Sequence, residues 1–238
     1  MDTTIMLAAA LLPVILLWVY IWKKDPQPEP TSWLAKAVWW GVGICLPVVF
    51  LEGGIEVLMF GADHQPANLL ESTSMAFFVA ALPEESAKLF VLWLVLRKNP
   101  YFDEHFDGIV YAVCVGLGFA AFENVFYLLD NETDWVTVAI SRALLAVPGH
   151  YAFAVMMGYY YSLYHFVDRS PHTAVCILLV PVLAHGIYDS LAMSGIVNPY
   201  VGGFCSLILI YFCVRMHMFA HQKVITQIKR DSEETLLS

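Results

Sequence analysis

Residues 74–96 read SMAFFVAALPEESAKLFVLWLVL, and the fold turns on this stretch. It is long and apolar enough to cross a hydrocarbon core, which takes about 20 residues. Yet Glu84, Glu85 and Lys88 stand near its middle. Each charge in a bilayer interior costs about 2.5 kcal/mol or more, so such residues face other protein or a water-filled cavity. A lone span offers neither; a bundle offers both.

Working outward, six more stretches read as spans, at roughly 3–22, 34–60, 108–130, 136–164, 173–196 and 200–220. The expected fold is all-α: a polytopic membrane helix bundle of about seven transmembrane helices, with residues 1–238 as a single transmembrane domain. Composition agrees. The chain is 59% hydrophobic and 14% charged, where soluble domains carry about 25% charged residues. Spans consume nearly all of it and leave no room for a separate soluble domain. The net charge of −9 argues against a nucleic-acid surface. The five cysteines lie in apolar spans without a CxxC pair, which reads as small buried apolar residues. No Lys or Arg precedes the first span, and Lys23 and Lys24 follow it, which argues against a signal peptide. The stretch 23–31, KKDPQPEPT, reads as a loop.

Basic residues orient the bundle. Lys23, Lys24 and Lys36 flank the first loop, Arg97 and Lys98 the third, Arg169 the fifth, and Arg215, Lys223, Lys229 and Arg230 the last span, while the even-numbered loops have none. Cytoplasmic loops are enriched in Lys and Arg. The alternation predicts an outside N-terminus and a cytoplasmic C-terminus.

Polar residues inside the spans carry the chemistry. Glu84 and Lys88, four apart, share a helix face and can pair, with Glu85 turned about 100° away from Glu84. Two adjacent carboxylates are costly to ionise together in low dielectric. Pro83 removes a backbone donor and is expected to kink the helix. In the fourth span Gly108, Ala112, Gly116 and Ala120 recur every four residues, a spacing that lets membrane helices pack closely. Glu123 projects from about that face, followed by Asn124. The fifth span holds Arg142 and Pro148-Gly149-His150; the sixth holds His185 and Asp189, four apart. Counted inward at about 1.5 Å per residue, these groups fall in one layer, about seven to fourteen residues from the outer face. Unrelated structural residues have no reason to agree in depth. The set suits water activation, and equally a metal or proton site, since His and carboxylate bind zinc. The remaining histidines, His64, His105, His165, His172, His217 and His221, lie in loops or near span ends and read as solvated.

These motifs resemble those of the PrsW family of intramembrane proteases. Glu84-Glu85-Ser86-Ala87-Lys88 is similar to its EExxK motif, and Phe119-Ala120-Ala121-Phe122-Glu123-Asn124 to its FxxxEN motif. Phe106-Asp107-Gly108-Ile109-Val110-Tyr111 resembles the segment leading into the latter, and Arg142 with His150, and His185-Gly186, its third and fourth regions. The motif-bearing core covers about 75–195. The family is distantly related to CAAX-processing and bacteriocin-immunity membrane proteases and to a scaffold subunit of the presenilin complex. The CAAX relatives carry His where Glu123 stands and often Asn where Asp189 stands.

The resemblance implies an intramembrane endopeptidase that cleaves a membrane-anchored, single-span protein such as an anti-sigma factor. Glu84, Glu85, Glu123, His150 and His185 are the implied catalytic residues. Lys88, Asn124, Arg142 and Asp189 support them. The implied setting is the lipid bilayer of a bacterial inner membrane, without nucleic acid. No cofactor is firmly implied. Zinc stays open, with Glu123, His150 and His185 as candidate ligands, but no HExxH pair is present and the expected mechanism is water activated by glutamate. A non-catalytic scaffold and a proton-coupled transporter are the rival readings. Transporters often show inverted repeats, and none is visible.

Overall fold

The computed structural model describes residues 3–62 and 64–237. In lipid a backbone N–H has no water to bond to, so an apolar span must satisfy its polar groups internally. Helices result: α1 Thr3–Trp22, α2 Thr31–Met59, α3 69–96, α4 Asp107–Asp130, α5 Trp135–Val167, α6 Pro171–Val197 and α7 Pro199–Leu237. Six are long and apolar enough to cross a membrane. The other, α3, is the one carrying Glu84, Glu85 and Lys88 at its centre. No strand occurs among the described residues.

The seven expected spans thus appear as seven helical rods, with two differences. The loop expected over 23–31 ends at residue 30, with Thr31 opening α2, and α7 runs well beyond the expected end near 220. Its last turns fold onto the loop before α4, where Asp231 accepts hydrogen bonds from the backbone N–H groups of His105 and Phe106 at 2.7 and 2.9 Å. His105 is therefore buried, not solvated. The unforeseen extension of α7 covers it, and its Nε2 lies 3.0 Å from Glu234 Oε1.

Helix α4 is the axle of the bundle. Most of its residues from Asp107 to Ala120 are buried, and α2, α5 and α1 pack around it. Small residues allow this. A Cβ at Gly118 would meet the Val38 carbonyl oxygen of α2 at 2.3 Å, and one at Gly158 of α5 would meet the Gly108 carbonyl oxygen at 2.3 Å. These backbones touch, as membrane helices with small interfacial residues can. The expected small-residue stripe faces α5. Large apolar side chains such as Phe50, Phe78, Phe90 and Leu144 point outward, where lipid accepts them.

Two helices loosen just before a proline. Met75–Ala81 of α3 and Arg142–Ala146 of α5 are wound as π-helix, ahead of Pro83 and Pro148. A proline has no N–H and crowds the carbonyl one turn earlier; a widened turn relieves both. At Pro83, where the sequence leads one to expect a kink, the distortion observed is this widened turn. Short π segments are frequent at functional sites, and these two lie immediately before Glu84-Glu85 and His150.

Candidate active site

Lys88 is the hub. Its Nζ donates to Glu84 Oε2 at 2.8 Å and to Glu85 Oε1 at 2.8 Å, and lies 3.2 Å from His150 Nδ1. Glu84 and Glu85 point different ways from the helix, but the long lysine side chain reaches both. The ammonium also sits 4.2 Å over the Phe119 ring. All four charged or imidazole groups are buried, and buried charge is tolerated when it is paired and hydrogen-bonded.

From the hub the network runs two ways. Toward α4, His150 Nε2 lies 2.7 Å from Glu123 Oε2. The same oxygen forms an ion pair with Arg142 Nη2 at 2.9 Å. Arg142 Nε donates to Asn124 Oδ1 at 2.6 Å, and Asn124 Nδ2 donates to the Ala10 carbonyl at 2.9 Å. The guanidinium lies 4.1 Å over Tyr127. A planar fork suits this bridging better than a lysine would. Toward α6, Glu85 Oε1 lies 3.0 Å from His185 Nδ1, and His185 Nε2 lies 3.1 Å from Asp189 Oδ2. Phe153 stacks on His185 at 4.7 Å, and the two imidazoles stand edge to face at 5.5 Å. The residues singled out from the sequence thus meet in one network across α3, α4, α5 and α6.

A cavity of about 760 Å³ opens beside this network. Glu84, Glu123, His150, His185 and Asp189 line it, while Glu85 and Lys88 lie behind them. Its walls reach Asp130 and Ile196, at the ends of α4 and α6 that the charge pattern predicts to lie outside. Glu52 and Glu56 of α2 also line it, and sequence reasoning missed them. The signal was present: both are carboxylates within the 34–60 span, subject to the same cost as Glu84.

The family described as PrsW family intramembrane metalloprotease matches residues 29–218. The chain belongs to the PrsW family. It is 35% identical over 191 residues to the Protease PrsW of Geobacillus kaustophilus, covering 79% of this chain and 80% of that protein. It is 33% identical over 236 residues to that of Oceanobacillus iheyensis, covering 98% of each. It is 33% identical over 186 residues to that of Bacillus subtilis, covering 77% of this chain and 80% of that protein. No solved structure matches the chain. As a PrsW protein with a membrane-spanning bundle, it is a membrane peptidase.

The family description includes a metal, so the donors deserve a test. Ligand atoms of Glu84, Glu85 and His150 lie within 4.8 Å of one another. Carboxylate and imidazole are zinc-type donors. Of the three residues offered as zinc ligands from the sequence, only His150 belongs to this group. The Lys88 ammonium bonds the same three side chains. It stands where a metal would, so the residues as arranged do not fit a metal together with Lys88.

Proposed function

We propose that this PrsW protein is an intramembrane endopeptidase that hydrolyses a membrane-anchored, single-span protein such as an anti-sigma factor, with Glu84 as the general base. The observation that carries the assignment is that Glu84 is the member of the glutamate pair that lines the cavity. Water in the cavity can reach it. Glu85, fully buried behind it, holds Lys88 and His185.

Glu84 takes a proton from water as the oxygen attacks the scissile carbonyl carbon. The carbonyl oxygen becomes an oxyanion, stabilised through space by the positive charge of the His185 ring, beside the cavity-lining His150, in a site shielded from bulk water. Both nitrogens of His185 face carboxylate oxygens, a pattern that a ring protonated on both nitrogens satisfies. Asp189 orients that ring. Glu123, held by Arg142 and Asn124, orients His150. Glu84 then returns its proton to the leaving amine nitrogen as the C–N bond breaks. Val49, Val79, Phe126 and Leu209 on the cavity wall suit an apolar peptide segment.

A second reading has a metal held by Glu84, Glu85 and His150 after Lys88 swings aside. The convergence of those donors and the family's description favour it. The test is the purified protein in detergent with single-span reporter substrates, with and without a chelator. The glutamate reading expects cleavage that survives chelation. Cleavage abolished by chelation and restored by zinc supports the metal reading, and no cleavage under either condition supports a scaffold.

The protein is set in a bacterial inner membrane with its N-terminus outside and C-terminus cytoplasmic, on the strength of the alternating basic loops. Reporter fusions at the two termini landing on the same side would overturn this.

A further inference from the structure

A second group of carboxylates lies at the other end of α4. Oxygens of Glu29, Asp103 and Asp107 come within 4.8 Å of one another. Glu29 ends the first loop, Asp103 lies in the loop before α4, and Asp107 opens α4. Glu123 is sixteen residues along the same helix, about 24 Å at about 1.5 Å per residue. The protease network therefore does not use this cluster.

Part of the cluster is structural. Asp107 Oδ2 accepts from the backbone N–H groups of Asp103 and Glu104 at 3.1 and 2.7 Å and closes the turn into α4. Tyr111 donates its hydroxyl to Glu29. That leaves Asp107 Oδ1, which is buried without a hydrogen-bond partner on a residue 0% exposed. Asp25 Oδ2 nearby is in the same position, on a residue 7% exposed. None of the Lys and Arg ion pairs among the described residues involves these carboxylates. Asp231 and Glu104 add more negative charge at this end. The α4 N-terminus supplies only about half a unit of positive charge. Buried carboxylates with no partner are costly, and such groups are paired or coordinate a metal.

We infer that Glu29, Asp103 and Asp107 form a binding site for a divalent cation of the oxygen-preferring class, Ca²⁺ or Mg²⁺. Such ions take carboxylate oxygens, Ca²⁺ at about 2.3–2.6 Å, and oxygens within 4.8 Å of one another can share one ion at that reach. The ion ties the 23–30 loop to the 97–106 loop, on which the end of α7 already rests through Asp231. It locks this end of the bundle and stands apart from any metal at the protease centre.

The test is a titration of Mn²⁺ into the purified full chain in detergent, followed by electron paramagnetic resonance of the free ion. The expected result is one saturable site, competed by Ca²⁺ or Mg²⁺. It persists in Glu84→Gln and weakens at least tenfold in Asp107→Asn and Asp103→Asn, since losing even an outer partner of a ligand costs roughly 10–100-fold. Should Asp107→Asn fail to fold, Asp103→Asn decides, because that side chain is exposed. No saturable binding, equal binding in the folded variants, or binding lost in Glu84→Gln would overturn the inference.

Discussion

Lys88 Nζ on α3 lies 3.2 Å from His150 Nδ1 on α5, sixty-two residues away. This contact joins two arrays that would otherwise be separate: the glutamate pair with His185 and Asp189, and Glu123 with Arg142 and Asn124. It also places an ammonium among the donors a metal would need.

Removing that ammonium should be costly. Lys88→Ala leaves Glu84 and Glu85 buried without their countercharge, and breaking a buried pair costs about 3–5 kcal/mol. Thermal unfolding in detergent should show a large loss. Zinc should then restore stability to Lys88→Ala while leaving the wild type unchanged, because only the variant has the position between Glu84, Glu85 and His150 free. A variant as stable as wild type, or equal zinc stabilisation of both, would show that Lys88 does not hold the site.

Asp189 acts through His185 and does not touch the scissile bond in this account. Asp189→Asn keeps the shape but loses the charge on His185 Nε2, so the ring loses its orientation. The expected effect is a fall in kcat on the order of 10²-fold, within the range of a proton-transfer contribution, with KM nearly unchanged. A rise in KM at constant kcat would instead place Asp189 in substrate binding.

Much of this arrangement was legible in the sequence because charge in lipid is so constrained. Glu84, Glu85, Lys88, Glu123, Arg142, His150, His185 and Asp189 each stand out against an apolar background, and their shared depth pointed to one layer. The four-residue spacing of Glu84 and Lys88 foretold their pairing. Other features were not legible, for physical reasons. Helical spacing puts both Glu85 and Glu84 within reach of Lys88, three and four residues on, but does not say that one ammonium bonds both at once. Burial of His105 depends on where α7 ends, and its amphipathic extension carries no hydropathy signal. The cluster of Glu29, Asp103 and Asp107 comes from two loops and a helix start, where acidic residues look solvated until the tertiary fold brings them together.

That cluster should make stability depend on pH. Burial, then the charges of Asp231 and Asp25, push the Glu104 carboxyl up to about 7; Asp25 and Glu29 are raised as well, mainly by burial. Facing them are Asp103, Asp107, Asp231, Glu234, Tyr111 and His105. A carboxyl raised in the folded state binds its proton more tightly there than when unfolded. Its stabilising contribution is full below the unfolded value of about 4.3 and is lost as pH rises toward about 7. In a chelator, Tm should therefore fall across that window, and Glu104→Gln should flatten the fall. Added Ca²⁺ or Mg²⁺ should reduce it in the wild type. A Tm that rises across the window would contradict the burial of these groups.

The most direct measurement compares the initial rates at which purified wild type, Glu84→Gln and Glu85→Gln cleave a single-span reporter in liposomes, with Tm recorded for each. Glutamine keeps the shape and hydrogen bonding but cannot take a proton from water, and general-base catalysis contributes roughly 10²–10⁴-fold. The expected result is a loss of that size in Glu84→Gln at near wild-type Tm, while Glu85→Gln loses activity together with stability because it frees both Lys88 and His185. Wild-type cleavage by a folded Glu84→Gln would contradict the account.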